Sequence, residues 1–236
     1  MKNLLLLLLF IPLLACQAVK EEKQTADPQA AATQPALRFA EEIAAFEAAD
    51  QAHPVPADAF VFAGSSSLRM WKTISDDLAP FPVVNRGFGG STMPELIHYA
   101  DRIVWPYKPK AVFVYEGDND ITNEAVSPDS MFRTFQQFHR LTRENSPGTK
   151  IYFISIKPSA ARRHLFEKAK ETNALVQKYC EAHNDLAYVD VFSAMLKPDG
   201  TVMTDIFVAD SLHMNPAGYA IWTEVIRPLV ATESAY

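Results

Sequence analysis

The feature that most constrains the fold of this chain is a series of short, continuous apolar runs separated by longer amphipathic segments. The runs are rich in β-branched and aromatic residues and occupy residues 60–63, 83–84, 111–115, 151–156 and 186–191. Continuous apolar runs of this kind are typical of strands that are covered on both faces, as in a parallel sheet. The sequence therefore predicts five buried strands.

The segments between these runs have the pattern of amphipathic helices. Before the first run, apolar residues at helical spacing predict a helix over residues 37–50. Ser127-Pro128 and Asn215-Pro216 each combine a capping residue with a first-turn proline, which favours the start of a helix. The further predicted helices cover residues 92–104, 128–144, 160–183 and 215–232.

Strands that alternate with helices predict a doubly wound α/β domain, with a flavodoxin-like parallel sheet of about five strands and helices on both faces. In such sheets, ligands bind beside the carboxyl ends of the strands. Polar segments follow the first three predicted strands: Gly64-Ser65-Ser66-Ser67, residues 85–92 and residues 116–120. A turn or a helix cap would explain each segment by itself, but this fold places all three at one edge.

Ser66 is a candidate nucleophile if the chain supplies a base, because a serine hydroxyl is a weak nucleophile by itself. His213, which follows Asp210 by three residues, offers that base. On a turn, the Asp210 carboxylate can accept from one imidazole nitrogen and leave the other free to take a proton. The remaining histidines lie in helical or helix-end patterns and are predicted to be surface or packing residues: His53, His98, His139, His164 and His183.

Two further residues have the properties of oxyanion donors. Asn119 carries a neutral amide, and one donor of this kind can contribute about 3 kcal/mol to a transition state. Gly90 lies in the glycine-rich segment after the second strand, where a glycine lets a backbone N–H approach a ligand with no Cβ in the way. That segment lacks the lysine and the spacing of a phosphate-binding loop, so we do not expect a nucleotide site.

Together and in this order, these segments resemble the four sequence blocks of the SGNH, or GDSL-type, hydrolases. The blocks are Gly64-Ser65-Ser66-Ser67, residues 85–92 with Gly90, residues 117–120 with Asn119, and residues 210–213. The resemblance covers residues 57–230. Ser65 and Ser67 depart from the Asp and Leu that usually flank the family's nucleophile, which leaves open which neighbours tune Ser66.

The resemblance implies the SGNH hydrolase fold and a serine esterase that needs no cofactor and no metal. Ser66 would be the nucleophile, His213 the base and Asp210 the residue that orients it. The Ser66 N–H, the Gly90 N–H and the Asn119 side chain would form the oxyanion hole. The expected substrate is a short acyl ester, above all an acetyl ester, of a carbohydrate or small molecule.

Several alternatives remain open at this point. A lysophospholipid or another lipid ester is the nearest alternative substrate. Asp118, Asp120, Asp210 and His213 have the ligand types of a metal-assisted phosphoesterase, although Ser66 and Asn119 would then have no role. A lipoprotein that kept the fold as a non-catalytic envelope module is the alternative outside enzymology.

The N-terminus predicts export and a lipid anchor. Lys2 precedes an apolar run over residues 4–14, which is too short to span a bilayer but suits a signal peptide. The run ends in Leu13-Leu14-Ala15-Cys16, which resembles the lipobox of bacterial lipoproteins, with cleavage before Cys16 and lipidation of its thiol. We therefore predict a signal peptide over residues 1–15, lipidated Cys16 with a flexible tether to residue 36, and a hydrolase domain over residues 37–236.

The anchor would hold the protein stably in the cell envelope, since two or more acyl chains suffice for lasting attachment. Gln17 stands where an Asp would signal inner-membrane retention, which favours the outer membrane. Cys180 then remains as a small buried residue, with no partner for an intrachain disulfide.

The charge pattern argues against nucleic acid as a partner. The formal net charge is −6, whereas phosphate binding requires a basic face. The densest basic pair is Arg162-Arg163, which is predicted to be the solvated start of a helix.

Overall fold

The fold follows from the way its five apolar strands are covered. The computed structural model describes residues 38–235. The strands are β1 (Phe60–Gly64), β2 (Val83–Gly87), β3 (Ala111–Tyr115), β4 (Lys150–Ile154) and β5 (Leu186–Val189). They form one parallel sheet in the order β2-β1-β3-β4-β5. This architecture confirms the predicted doubly wound α/β fold with helices on both faces.

The helices connect these strands and are mostly those that the sequence predicts. They are α1 (Ala40–Ala52), α2 (Ser66–Arg69), α3 (Ile74–Asp77), α4 (Met93–Ile103), α5 (Pro128–Asn145), α6 (Phe166–Glu181), α7 (Val191–Ala194) and α8 (Pro216–Ser234). Short 3-10 turns occupy Trp105–Tyr107, Asp120–Thr122 and Arg163–Leu165.

Each face of the sheet buries its own hydrophobic core. On one face, alternate strand residues such as Val61, Val112 and Phe153 pack with residues of α1, α4, α5 and α6. On the other face, residues such as Phe62 and Phe113 pack with residues of α2, α3 and α8. Because successive strand side chains point to opposite faces, burial on both faces requires the continuous apolar runs that the sequence shows.

One predicted helix starts later than its sequence pattern indicates. The expected helix over residues 160–183 is α6, which begins at Phe166. The residues before it form an irregular segment whose backbone and side chains bond to other loops instead: the Ala161 N–H donates to the Ser211 carbonyl at 3.2 Å. These tertiary contacts replace the first turns of the expected helix.

The predicted signal peptide, lipidated Cys16 and tether lie outside the described residues, as do the boundaries proposed between them. Within residues 38–235, no helix combines the length and apolar character that crossing a membrane requires.

Candidate active site

The carboxyl ends of three neighbouring strands bring the predicted site segments to one level of the sheet. Gly64 at the end of β1 is in register with Gly87 of β2 and with Tyr115 of β3. Beyond the strands, the Phe88 N–H donates to the Gly64 carbonyl at 2.8 Å, and the Ser65 N–H donates to the Tyr115 carbonyl at 3.0 Å. The turns that follow therefore start side by side, as the fold rule predicts.

Ser66 is the first residue of α2 and is half-buried. Gly64 precedes it with a φ of 142°, and a Cβ at Gly64 would lie only 2.1 Å from the Tyr115 carbonyl oxygen. Glycine is required there because only a residue without a Cβ can adopt this φ so close to another backbone. The result is a sharp turn that leaves the Ser66 hydroxyl at the edge of the sheet.

The structure brings Ser66, His213 and Asp210 together in one hydrogen-bonded chain. Ser66 Oγ lies 3.0 Å from His213 Nε2, and His213 Nδ1 lies 2.5 Å from Asp210 Oδ2. With the proton on Nδ1, the imidazole donates to the carboxylate and its Nε2 is free to accept from the serine hydroxyl.

The Asp210 carboxylate also stabilises the loop that carries Asp210 and His213. Asp210 Oδ1 accepts from the backbone N–H groups of Leu212 and His213, each at 2.9 Å. The hydrogen bond from the His213 side chain, together with these backbone bonds, lowers the pKa of Asp210 to about 2. Asp210 is therefore ionised at neutral pH and favours the tautomer that leaves His213 Nε2 as an acceptor.

Helix α8 holds this loop against the turn of Ser66. Asn215 caps α8 by accepting from the N–H groups of Ala217 and Gly218. One turn further, the Tyr219 hydroxyl donates to the Ser67 carbonyl at 2.9 Å. This bond spans 152 residues of sequence and ties the turn of Ser66 to the helix that follows His213.

The structure places Asn119 beside the turn that contains Gly90. Asn119 Nδ2 donates to the carbonyl of Ser91 at 2.8 Å, and Gly90 itself has a φ of 80°. The carboxylate of Asp120 accepts from the N–H groups of Met93 and Gly117, each at 3.0 Å. The Gly90 turn and the Asn119 turn are therefore fixed to each other.

A buried carboxyl group bonds to the Gly90 turn, and no sequence motif indicates this contact. Glu116 is fully buried, and its Oε1 accepts from Ser91 Oγ at 2.6 Å, whereas within residues 38–235 no hydrogen-bond donor meets its Oε2. Burial, reinforced by the charge of Asp120, raises the pKa of Glu116 well above its ordinary value. Burial therefore favours the protonated form of Glu116.

The prediction for Arg162 is wrong. Its side chain is 18% exposed rather than solvated, and its guanidinium bonds to Asp118 and to Asn119 Oδ1. Lys157 also contacts the Asp118 carboxylate, at 2.6 Å. Burial alone would raise the pKa of Asp118, but the charges of Lys157 and Arg162 outweigh burial and lower it.

His139 and Cys180 have structural environments of their own. His139 is buried and bonds to Tyr179 and Asp185, which is the packing role expected of it. Cys180 is buried, and burial raises the pKa of its thiol to about 12.

Within the part of the chain that the structure covers, no three His, Cys, Asp or Glu side chains are grouped so that they could hold a metal ion.

The serine hydrolases share one arrangement of catalytic groups: a hydroxyl, an imidazole and a carboxylate joined by hydrogen bonds in this order. Here that arrangement lies at the carboxyl edge of a parallel sheet. The model of the GDSL-like lipase/acylhydrolase family matches residues 57–221. The chain belongs to this family, and its enzymatic class is that of the ester hydrolases.

Solved structures with the same fold include several hydrolases of low sequence identity. A GDSL-like lipase from Bacteroides thetaiotaomicron is 20% identical, with a TM-score of 0.68 over 80% of this chain and 97% of the other. A lipase/acylhydrolase from Enterococcus faecalis is 20% identical, with a TM-score of 0.59 over 74% and 96% of the two chains. An acetylxylan esterase from Geobacillus stearothermophilus is 16% identical, with a TM-score of 0.62 over 73% and 94%. No curated protein sequence matches the chain.

Proposed function

We propose that this protein hydrolyses short acyl esters, above all acetyl esters of carbohydrates or small molecules, through an acyl-enzyme intermediate on Ser66. The observation that carries this proposal is the continuous hydrogen-bonded chain from Ser66 Oγ through His213 to Asp210. A serine hydroxyl in contact with a neutral imidazole can lose its proton as it attacks a carbonyl carbon.

The reaction has two halves that use the same groups. In the first, Ser66 Oγ bonds to the acyl carbon and its proton passes to His213 Nε2. The carbon–oxygen bond to the leaving alcohol then breaks, and His213 returns the proton to that alcohol. In the second, water attacks the acyl group, gives its proton to His213, and the acid leaves as Ser66 recovers its proton.

The negative charge that develops on the carbonyl oxygen needs donors that are already in place. The N–H groups of Ser66 and Gly90 and the free Nδ2 hydrogen of Asn119 have this role in the proposal. It is supported by the contact of Asn119 with Ser91, the neighbour of Gly90.

The exposure of the catalytic loop supports a short acyl group. The Asp210 side chain is 46% exposed and that of His213 23%, so solvent reaches the base directly. A long acyl chain gains affinity by burying apolar surface, and an open site of this kind favours a small, hydrated substrate. The acetylxylan esterase among the structures of the same fold supports the same class.

One observation favours a second candidate, a lipid acyl ester. The large apolar side chains that are most exposed in the described part of the chain are Met70 and Val208. The Met70 N–H donates to the Ser66 carbonyl, and the Val208 N–H donates to the His213 carbonyl, each at 2.9 Å. The backbones of both residues are thus bonded to those of the reacting residues, which would bring an alkyl chain at the site within reach of exposed apolar side chains.

Hydrolysis of p-nitrophenyl esters of increasing chain length, beside acetylated xylo-oligosaccharides, distinguishes the two candidates. We expect kcat/KM to be highest for acetyl and to fall as the chain lengthens. Ser66→Ala should lower kcat by several orders of magnitude, with Ser67→Ala as the matched control. A rise in kcat/KM toward long chains that Met70→Ser and Val208→Ser abolish would establish the lipid ester instead, and full activity of Ser66→Ala would refute the mechanism.

The location of the protein is part of the same proposal. Cleavage before Cys16 and lipidation of its thiol would anchor the protein in the bacterial cell envelope, at the outer membrane. The support is the sequence Leu13-Leu14-Ala15-Cys16 after an apolar run, with Gln17 rather than Asp behind it.

A further inference from the structure

We propose that Arg162 is a positioning residue for the reaction, which holds the amide of Asn119 in the one orientation that serves as an oxyanion donor. This inference rests on the proposed function, because it gives Asn119 a purpose only if an oxyanion forms. It concerns a residue of the loop after β4, which lies outside the four sequence blocks of the family.

The side-chain amide of Asn119 makes two hydrogen bonds. Its Oδ1 accepts from Arg162 Nη2 at 2.9 Å, and its Nδ2 donates to the Ser91 carbonyl at 2.8 Å. A guanidinium has only donors and a backbone carbonyl only accepts. If the Asn119 amide were flipped, its NH₂ group would face the N–H groups of Arg162, and its oxygen would face the carbonyl oxygen of Ser91. Neither pair could form a hydrogen bond.

This constraint has a chemical consequence for the second hydrogen of Nδ2. An amide nitrogen carries two hydrogens, and Ser91 takes one. The other stays available for an oxyanion, and Arg162 prevents the acceptor Oδ1 from taking its place. Without Arg162, only the hydrogen bond to the Ser91 carbonyl would favour this orientation of the Asn119 amide.

Arg162 can hold Asn119 because it is itself held on the other side. Its Nη1 donates to Asp118 Oδ1 at 2.5 Å and also contacts the Asp118 carbonyl oxygen. Asp118 Oδ2 in turn accepts from Lys157 Nζ at 2.6 Å and from the Tyr115 hydroxyl at 3.0 Å. The side chains of Lys157 and Asp118 are 0% and 6% exposed, so this anchor is shielded from water.

The segment of Arg162 also contacts the loop that carries the base. The Ala161 N–H donates to the carbonyl of Ser211, a residue with a φ of 56° between Asp210 and His213. Residues 161 and 162 thus touch the base loop through the backbone and the Asn119 turn through a side chain. This double contact explains why the loop after β4 does not continue as helix.

A double-mutant cycle in kcat tests the proposal with the full-length protein and p-nitrophenyl acetate. We expect Arg162→Met to lower kcat by about 10- to 100-fold with KM changed less than about threefold, since an oxyanion donor contributes about 10²- to 10³-fold. In the Asn119→Ala background, the same substitution should lower kcat by less than about threefold, because residues that act through one contact are non-additive. Arg163→Met, at the exposed neighbouring position, should leave kcat unchanged.

Arg162→Lys extends the test if Arg162→Met fails to fold. It keeps a charge for Asp118 but loses the two-pronged donor geometry, so we expect a folded protein with reduced kcat and non-additivity with Asn119→Ala. Fully multiplicative losses, or an unchanged kcat in the folded arginine variants, would overturn the inference. If Ser66→Ala is inactive at the same time, the proposed function stands; if Ser66→Ala is active, the proposed function fails first.

Discussion

At the scale of single residues, the site depends on a buried acid that takes no part in the proposed chemistry. Glu116 directly precedes the Asn119 turn and accepts from Ser91 Oγ in the Gly90 turn. Ionisation would leave a fully buried charge with no cation of the described residues in contact, at a cost of several kcal/mol. The protonated carboxyl avoids this cost and still fixes Ser91, whose carbonyl receives the Asn119 amide.

Glu116→Gln should reveal this protonation as a pH dependence of stability. The folded protein keeps the Glu116 proton to a higher pH than the unfolded chain, which releases it near its ordinary pKa of 4.5. The wild type therefore loses stability as the pH rises from that value toward the raised pKa, by up to about 1.4 kcal/mol per pH unit, and the glutamine variant lacks this contribution. Urea unfolding at several pH values from 4 to 8 measures the difference, with exposed Glu124→Gln as the control for net charge.

A difference between Glu116→Gln and the wild type that stays constant with pH would mean that Glu116 is ionised in the folded state.

Residues such as Glu116 and Arg162 show where sequence reasoning stops. Ser66, His213 and Asn119 carry side chains whose chemistry is recognisable in short motifs. Arg162 acquires its proposed role only through Asn119, 43 residues away, and Glu116 through Ser91, 25 residues away. No local pattern encodes such a pairing, and a surface arginine pair is the ordinary interpretation of Arg162-Arg163.

At the scale of elements, the close approach of β1 and β3 determines where Ser66 lies. The strands were predictable because each is buried on both faces and so carries a continuous apolar run. The short helices α2, α3 and α7 were not, since four residues show no helical period. The late start of α6 could not be predicted either. Helical propensity is a local property, whereas residues 160–165 are held out of the helix by contacts with distant loops.

Gly64→Ala should disrupt both the fold and the activity. The added Cβ would meet the Tyr115 carbonyl at 2.1 Å, at a φ of 142° that side chains rarely adopt. Strain and overpacking together should lower the free energy of unfolding by about 2–5 kcal/mol and displace Ser66. Urea unfolding and the acetyl esterase assay measure both effects.

Two glycines provide controls for Gly64→Ala. Gly148→Ala meets no atom within 4 Å and has an ordinary φ, so we expect little change. Gly200→Ala also meets no atom but has a φ of 79°, so it isolates the backbone cost, about 1 kcal/mol. If Gly64→Ala is no worse than Gly200→Ala, the close approach to Tyr115 does not matter.

At the scale of the whole molecule, the hydrolase domain follows an N-terminal segment for which we predict a lipoprotein signal. The sheet order and its two faces were predictable from the alternation of strands and helices, since connections between parallel strands follow few topologies. The substrate was not, because it is selected by loops whose conformation depends on contacts throughout the chain.

Cys16→Ser should release the protein from the membrane fraction. Without the thiol there is no site for acyl chains, and attachment by lipid is lost. Fractionation of cells together with labelling by a radioactive fatty acid measures the effect, with Cys180→Ser as the control because that thiol is buried. Label and membrane attachment that persist in Cys16→Ser would contradict the predicted anchor.

The central claim is that Ser66, activated by His213, is the residue that becomes acylated. Labelling with a fluorophosphonate, followed by mass spectrometry of the tryptic peptides, tests it most directly because the reagent phosphonylates an activated serine. We expect one phosphonyl group on Ser66 and a loss of esterase activity in proportion to labelling. The Ser66→Ala variant should not be labelled, and the His213→Ala variant should be labelled much more slowly. A chelator should leave the activity of the wild type unaffected. An active enzyme that is labelled on another residue, or that a chelator inactivates while Ser66 stays unmodified, would contradict it.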